Sequence, residues 1–391
     1  MIKLSKKQTG LIMGSFVMLA TMSVGCTSTG TGKEAEGSVS DEAPITTFKI
    51  DTVADGLDRP WAMNFLSDGR MLVTERSGQL RVINSNGQLE EAPVQGLPEI
   101  FYEGQGGLLD VVPHPDFANN NIIYLTYSAK AAAGEKGKGA NTALLRAKLE
   151  NNALVDQKVI FKASPNVDAK VHYGGRIAFD KDGKLFLSLG ERGEKPKSQD
   201  LGSHQGKIVR LNDDGSVPND NPFVGMKDVL PEIYSYGHRN PQGMIIDPET
   251  GTIWEHEHGP QGGDELNFVE RSKNYGWPEI TFGIDYDNSI ISEDTAKAGM
   301  EQPATYWKPS IAPCGMAYIT GKKFKDWKGD LLVGSMKFTY IERVVLNGTQ
   351  VEKREKLFEG IGRVRDVREA ENGDIYVVIE SGQVLRITPG A

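Results

Sequence analysis

The strongest constraint on the fold of this chain is a pattern that recurs six times: an apolar run, a polar turn rich in Asp, Asn and Gly, then a second apolar run. The first instance is Trp61-Ala-Met-Asn-Phe65, Ser67-Asp-Gly69 and Met71-Leu-Val-Thr74. The third is Arg176-Ile-Ala-Phe179, Lys181-Asp-Gly183 and Leu185-Phe-Leu-Ser188. The sixth is Val364-Arg-Asp-Val367, Glu371-Asn-Gly-Asp374 and Ile375-Tyr-Val-Val378, and the others begin at Leu108, Gly243 and Gly315. Apolar runs joined by such turns read as β-hairpins. With Trp61, Leu109, Ile177, Met244, Met316 and Val367 as markers, successive spacings are 48, 68, 67, 72 and 51 residues. One hairpin does not fill such a period, whereas a four-stranded blade with insertions does. No long stretch of helical periodicity interrupts the repeats. The expected fold is therefore all-β, a six-bladed β-propeller of four-stranded antiparallel blades, with a β-sandwich as the competing arrangement. The 45 glycines in 391 residues, about 12% against a usual ~7%, belong to the turns and connections of these hairpins.

The amino terminus has a different character. Lys3, Lys6 and Lys7 precede an apolar run from Leu11 to Val24 and then Gly25-Cys26. Positive charge, apolar core and small residue, in that order, make an export signal, and the core is short for a membrane span. A cysteine directly after the core resembles a lipoprotein signal, in which that cysteine becomes the lipidated first residue; Ser23 stands three before it, where leucine is usual. The chain divides on this reading into an export signal at 1–25, a flexible Ser/Thr/Gly/Glu-rich linker at 26–46 and the propeller at 47–391. The expected location is extracytoplasmic, periplasmic or membrane-anchored, with a lipid on Cys26 as the membrane contact. Cleavage before Cys26 removes three lysines and moves the formal charge from −9 to −12. Such a surface does not suit nucleic acid, whose phosphates call for a basic partner. Two cysteines exclude a disulfide scaffold, and Cys314 is expected to be a buried structural thiol.

A propeller gathers loops from several blades at the mouth of its central channel, so polar residues beside the repeats are the candidates for function. His172, in Val171-His-Tyr-Gly-Gly-Arg176, is a candidate general base, because a neutral imidazole accepts a proton near pH 7. A hydrogen-bonded structural histidine is the plainer alternative. Tyr236-Gly-His-Arg-Asn-Pro-Gln-Gly243 crowds His238, Arg239, Asn240 and Gln242 between two glycines. The donor fork of arginine can stabilise an oxyanion and asparagine can orient a carbonyl, or the four can make a well-bonded turn. In Trp254-Glu-His-Glu-His-Gly-Pro260, His256 and His258 share one strand face, which gives a candidate transition-metal pair. Asp264 and Glu265, with turn carbonyls nearby, suit a hard cation such as calcium better. Lys337, Arg363 and Arg365 are cations of the last two repeats. Arg363 and Arg365 alternate along an expected strand and, with Lys337, can hold a multiply charged anion or simply line a solvated edge. Gly134-Glu-Lys-Gly-Lys-Gly139 lacks the spacing of a nucleotide loop and reads as a surface insertion.

Taken in order, these motifs resemble the soluble pyrroloquinoline-quinone (PQQ) dependent glucose/sorbosone dehydrogenase family, and within it the aldose sugar dehydrogenase branch. The resemblance runs from about Leu57 to Ile387. It is carried by Gly104-Gln-Gly-Gly-Leu-Leu109 with Pro113-His-Pro-Asp-Phe117, His172-Tyr-Gly-Gly-Arg176, Gly237-His-Arg-Asn-Pro-Gln-Gly243 and Glu257-His-Gly-Pro260 with Gly263-Asp-Glu265. Asn274-Tyr-Gly-Trp-Pro278, Pro309-Ser-Ile-Ala-Pro313, Ser335-Met-Lys337 and Gly362-Arg-Val-Arg-Asp366 complete it. The family fold is a six-bladed propeller, in agreement with the repeat count.

The resemblance implies a PQQ-dependent enzyme that oxidises the anomeric carbon of an aldose to the lactone and passes electrons to a separate acceptor, a quinone or cytochrome. His172 aligns with the base that takes the proton of the anomeric hydroxyl, and Arg239 with the residue that stabilises charge on the quinone oxygen. Gln105, Arg239, Asn240, Lys337, Arg363 and Arg365 align with residues that contact the cofactor. The carbonyls of Gly259 and Pro260 align with ligands of a calcium ion, and Glu265 with the carbonyl of Tyr275 with those of a second, structural calcium. Val171 stands where the glucose-specific branch has an aspartate. The loss of that carboxylate implies a less basic histidine and a broader range of aldoses, disaccharides among them. A non-catalytic carbohydrate- or protein-binding propeller and a calcium-dependent lactonase are the competing functions.

Overall fold

The computed structural model describes residues 47–390. The export signal, Cys26 and the linker expected at 1–46 lie outside the described residues.

All six expected hairpins are present. Their first strands are Pro60–Phe65, Leu108–Pro113, Ile177–Phe179, Pro241–Ile246, Pro313–Tyr318 and Val364–Glu369. The second strands are Met71–Glu75, Ile122–Lys130, Leu185–Leu189, Ile253–Glu257, Leu331–Ser335 and Ile375–Ile379. Each first strand pairs antiparallel with its second. The turn chemistry is as the sequence requires. Gly69 takes φ +86°, open to glycine without strain, and Asp68 Oδ1 beside it accepts the Arg70 N–H at 3.0 Å. First strands of neighbouring blades touch one another around a central axis, and each sheet runs outward from them. The result is a six-bladed β-propeller.

One blade departs from the four-stranded expectation. The first blade has only three strands, the last being Gln79–Ile83. Its outer place is taken by an irregular segment, in which Glu90 N–H donates to Val82 O and Val94 N–H to Leu80 O, both at 2.9 Å. That segment contains Pro93, which has no N–H to give to a ladder. The sixth blade closes the ring: Phe48–Ala54 pairs with Gln383–Pro389, from Phe48 opposite Pro389 to Ala54 opposite Val384. An Arg386–Asp51 ion pair at 3.1 Å reinforces the seam.

The core is distributed between blades. Leu72, Leu80, Ile123 and Leu125 fill the first-second interface; Tyr124, Leu144, Leu187 and Val209 the second-third; and Phe186, Ile208, Met244 and Ile253 the third-fourth. Trp254, Leu266, Leu331 and Val333 fill the next, then Leu332, Ile341, Val367 and Val377, and Met63, Val73, Val378 and Val384 complete the ring. Inner strands are buried on both faces, which is why they read as continuous apolar runs. Each fully buried aliphatic side chain contributes about 1.5–3 kcal/mol. Cys314 is buried, as expected.

An ionic knot spans the axis. Arg176, almost fully buried, lies 3.1 Å from Asp366 and 3.6 Å from Asp110, and Arg368 reaches the same two carboxylates. Its guanidinium covers the Trp61 ring at 4.1 Å and donates to the Gln242 and Arg365 carbonyls. Five blades thus meet on one side chain, which floors the mouth above it.

Candidate functional site

First strands begin, and second strands end, at the same end of the ring, and the candidate residues cluster there. Gln105, His172, Arg239, Asn240 and Arg363 precede first strands, while His258, Gly259, Pro260 and Lys337 follow second strands. A cavity of about 230 Å³ is lined there by Gln105, Asn240, His258, Arg363, Arg365 and Trp61 among others. A second, of about 630 Å³, is bordered by His258, Gly259, Pro260 and Lys337. His258 faces both, so the two are neighbours. The arrangement brings together residues more than 250 positions apart in the chain, from Gln105 to Arg365.

His172 has the left-handed φ of +54° and is held from two sides. Its N–H donates to Gln105 Oε1 at 2.8 Å, and its ring Nδ1 lies 2.7 Å from Glu191 Oε1. Burial lowers the imidazole's pKa below its ordinary 6.5; the Glu191 hydrogen bond works against that, and the charges of Arg239 and Arg192 reinforce it. The ring is thus neutral at pH 7, with Nδ1–H donated to the carboxylate and Nε2 left as a proton acceptor. Glu191 was not singled out from the sequence. It stands two residues after the second strand of the third blade, as Gly259 does in the fourth, and a charged residue at that mouth position is the signal that could have found it. A carboxylate thus meets the histidine from another loop, although Val171 stands before it in the chain, and the ring is still less basic than an ordinary imidazole, as expected. Arg192, next in the chain, stacks 3.5 Å over the Tyr173 ring and donates to the Ala169 carbonyl, pinning the loop that carries His172.

Arg239 donates through one guanidinium nitrogen to the His258 and Gly259 carbonyls at 2.8 and 2.9 Å and lies 5.1 Å over the Trp277 ring. The Asn240 side-chain carbonyl accepts from the Gly174 N–H at 3.3 Å, tying this loop to the one that bears His172. Arg365 lies in the first strand of the sixth blade at a bulge, and Arg363 immediately before that strand. The bulge replaces simple alternation, yet both line the same cavity. Arg363 is paired with Glu380. Among the described residues the Arg365 side chain meets the Met336 sulfur at 3.0 Å and the Trp61 ring at 5.3 Å, and the Nε–H groups of Arg365 and Arg239 are buried without an acceptor. Two arginines converging on one cavity are a fitting set for an anionic ligand.

His256 and His258 do not form a metal pair. Each Nε2 faces a carbonyl of the fifth blade, Gly315 O at 3.0 Å and Pro313 O at 2.9 Å, and burial pushes the two imidazoles down to about 4 and about 3. The acidic cluster lies deeper. His238, Glu255 and Glu257 place ligand atoms within 4.8 Å of one another, Glu265 sits opposite Glu257 in the strand pair, and Tyr275 stacks on His238 at 4.7 Å. Burial raises the Glu255 and Glu257 carboxyls to about 8, and burial with repulsion from both raises Glu265. Glu255 Oε2 is buried without a partner. Crowded hard oxygen donors of this kind match calcium. Asp264 has a different part: its two oxygens accept from Gly259 N–H at 2.9 Å and Ala312 N–H at 2.8 Å, fixing the Gly259-Pro260 turn. The carbonyls of that turn are engaged by Arg239 and by Ser310.

The comparison with known proteins follows the same outline. Aldose sugar dehydrogenase YliI of Escherichia coli K12 is 42% identical over 355 residues, covering 89% of this chain and 94% of that protein. The crystal structure of the soluble aldose sugar dehydrogenase from Escherichia coli in its apo-form superposes with a TM-score of 0.82 at 40% identity, over 88% of this chain and all of the other. The PQQ-bound aldose sugar dehydrogenase of Streptomyces coelicolor gives 0.73 at 26% identity, over 88% of this chain and 99% of that one. Residues 57–386, all six blades but for part of the closing seam, match the Glucose / Sorbosone dehydrogenase family, and to that family this chain belongs.

Proposed function

We propose that this protein is a PQQ-dependent aldose dehydrogenase that oxidises the anomeric carbon of aldoses to the lactone. The observation that carries the reading is a neutral, carboxylate-oriented His172, held by Gln105 at the mouth where Arg363 and Arg365 line the same cavity as Gln105. The residues fit a planar polyanionic quinone: Lys337, Arg363 and Arg365 would hold its carboxylates, and Gln105, Arg239 and Asn240 would border its reacting edge. When bound, PQQ supplies the two-electron oxidant that receives hydride from the sugar C1.

The chain's own residues manage the proton and the geometry. His172 Nε2 takes the proton of the anomeric hydroxyl, and Glu191 stabilises the imidazolium that results and fixes the tautomer beforehand. The Gln105 side chain holds the His172 backbone in its left-handed conformation. Arg239 presents positive charge where negative charge develops. Calcium at the Gly259 and Pro260 carbonyls would add Lewis-acid polarisation, and calcium at Glu265, Tyr275, Glu255 and Glu257 would neutralise the buried carboxylates. A separate quinone or cytochrome would take the electrons, and an export signal with a lipid on Cys26 would place the reaction outside the cytoplasm.

The test is direct. Apoprotein loaded with calcium and PQQ is given a panel of aldoses and an artificial dye. Dye reduction that requires PQQ and yields lactone is expected; no reduction with any aldose would overturn the proposal.

A further inference from the structure

A groove of about 610 Å³ opens off the mouth between the sixth and first blades, bordered by Arg59, Arg76, Arg363 and Glu380. Arg76, Arg363 and Glu380 also line the 230 Å³ cavity, so the groove continues it outward. Three guanidinium groups face one carboxylate there, in a chain whose net charge is −9. Glu380 is taken by Arg363. Among the described residues neither Arg59 nor Arg76 has a carboxylate partner. Arg59 donates to the Tyr102 hydroxyl at 3.0 Å, and Arg76 lies 5.5 Å over the same ring. Arg76 also donates to the Gly104 and Gly106 carbonyls, and its Nε–H is buried with no acceptor. Excess arginine of this kind, with donors unspent, matches a carboxylate.

The groove's position says which carboxylate. Gly104 and Gly106 flank Gln105, whose side chain accepts the His172 N–H at 2.8 Å. Arg76 is therefore joined to the proposed base through the Gln105 loop, and the groove opens from the cavity that Gln105 lines. Arg76 and Arg363 border both spaces, Arg365 only the inner cavity and Arg59 only the groove.

We infer that Arg59 and Arg76 form a carboxylate subsite that selects acidic aldoses, the uronic acids, as substrates. The inference rests on the aldose-oxidising reading of the site. A uronic acid bound at the mouth would bring a carboxylate for these guanidinium groups to meet, whereas a neutral aldose would leave them solvated. The carboxylate could instead come from the cofactor, and the experiment separates the two sources.

Arg59 is the residue to change, because Arg76 also holds the Gln105 loop. With the PQQ- and calcium-loaded enzyme, glucuronate should give a higher kcat/KM than glucose, with the advantage shrinking as salt screens the charges. Arg59→Gln should lower kcat/KM for glucuronate roughly 10-fold or more, as removal of a charge-assisted hydrogen bond does, while glucose changes little; Arg59→Lys should recover part of the loss. Calorimetry on the PQQ-free protein, a readout independent of turnover, should show tighter binding of glucuronate than of glucose. An active enzyme with no preference for glucuronate would overturn the inference and leave the aldose reading standing. So would an equal loss on both sugars in Arg59→Gln. Weaker PQQ binding in Arg59→Gln with an unchanged sugar preference would also overturn it, by giving the groove to the cofactor. Failure to oxidise either sugar while other aldoses are oxidised would overturn the inference alone; failure with every aldose would remove the aldose reading with it.

Discussion

Nδ1 of His172 lies 2.7 Å from Oε1 of Glu191, and that contact decides which nitrogen of the ring can accept a proton. The two loops that supply it, one before the first strand of the third blade and one after the second strand, meet because those strands are antiparallel neighbours. A carboxylate on Nδ1 leaves Nε2 free toward the mouth. Burial and two nearby arginines keep the ring neutral in spite of that carboxylate.

His172→Gln is expected to lower kcat by ~10²–10⁴-fold, the usual loss for a general base, with PQQ affinity retained. The pH profile carries the sign. His172 must be neutral to act, and its pKa lies below 6.5, so the acid limb of kcat/KM falls below that pH. Glu191 raises the His172 pKa, so Glu191→Gln should move the limb to still lower pH and reduce the plateau, by up to ~10⁴-fold if the tautomer is lost. A limb that moves to higher pH would contradict this account.

Much of this structure was legible in the sequence, and the limits have physical causes. The six inner hairpins were legible because an apolar run, an Asp/Asn-Gly turn and a second apolar run are local signals, as at Ile177–Phe179 and Leu185–Leu189. Outer strands such as Gln350–Leu357, largely exposed and charged, carry no such pattern, and the missing fourth strand of the first blade was invisible for the same reason. His172, Arg239 and Arg365 stood out as polar residues in glycine-rich or cationic motifs. Glu191 did not, because its importance lies in a contact across 19 residues. The pairing of His256 and His258 failed as a metal site because their same-face spacing says nothing of the carbonyls that the next blade brings to them.

Arg365→Ala should act on the cofactor. Arg365 is buried, and among the described residues its guanidinium meets only the Met336 sulfur and the Trp61 ring. Loss of a charge-assisted contact there should weaken PQQ binding about 10- to 100-fold, while kcat at saturating PQQ changes far less. Quenching of protein fluorescence on PQQ titration measures the first, dye reduction the second.

Calcium should stabilise the protein, and more at higher pH. Glu255 and Glu257 have carboxyls near 8 in the folded, metal-free chain against 4.5 unfolded. The folded state therefore binds more protons between those values, and metal-free stability should fall as pH rises from about 5 to 8. Calcium binds the deprotonated carboxylates and should cancel that slope. At 100-fold excess over Kd, stabilisation is about 2.7 kcal/mol. Thermal unfolding with calcium and with chelator, at both pH values, checks it; Glu257→Gln should blunt the calcium response.

Gly190 gives the sharpest separation of site geometry from fold stability. A Cβ at this position would lie 2.0 Å from the His172 carbonyl oxygen and 3.1 Å from Asn240 Oδ1, so Gly190→Ala must displace both loops. Misplacement of a reacting group by about 1 Å can cost ~10²-fold in rate, and kcat should fall by that order. The local overpacking costs about 1–3 kcal/mol, a shift of only a few degrees in a domain of this size. Gly183 is the control. It sits in the hairpin turn of the same blade at φ +73° with open space around it, so Gly183→Ala adds backbone strain and meets no neighbour. It should lower the melting temperature comparably and leave kcat unchanged. Equal kcat in the two variants would show that the Gly190 contact does not set the position of His172.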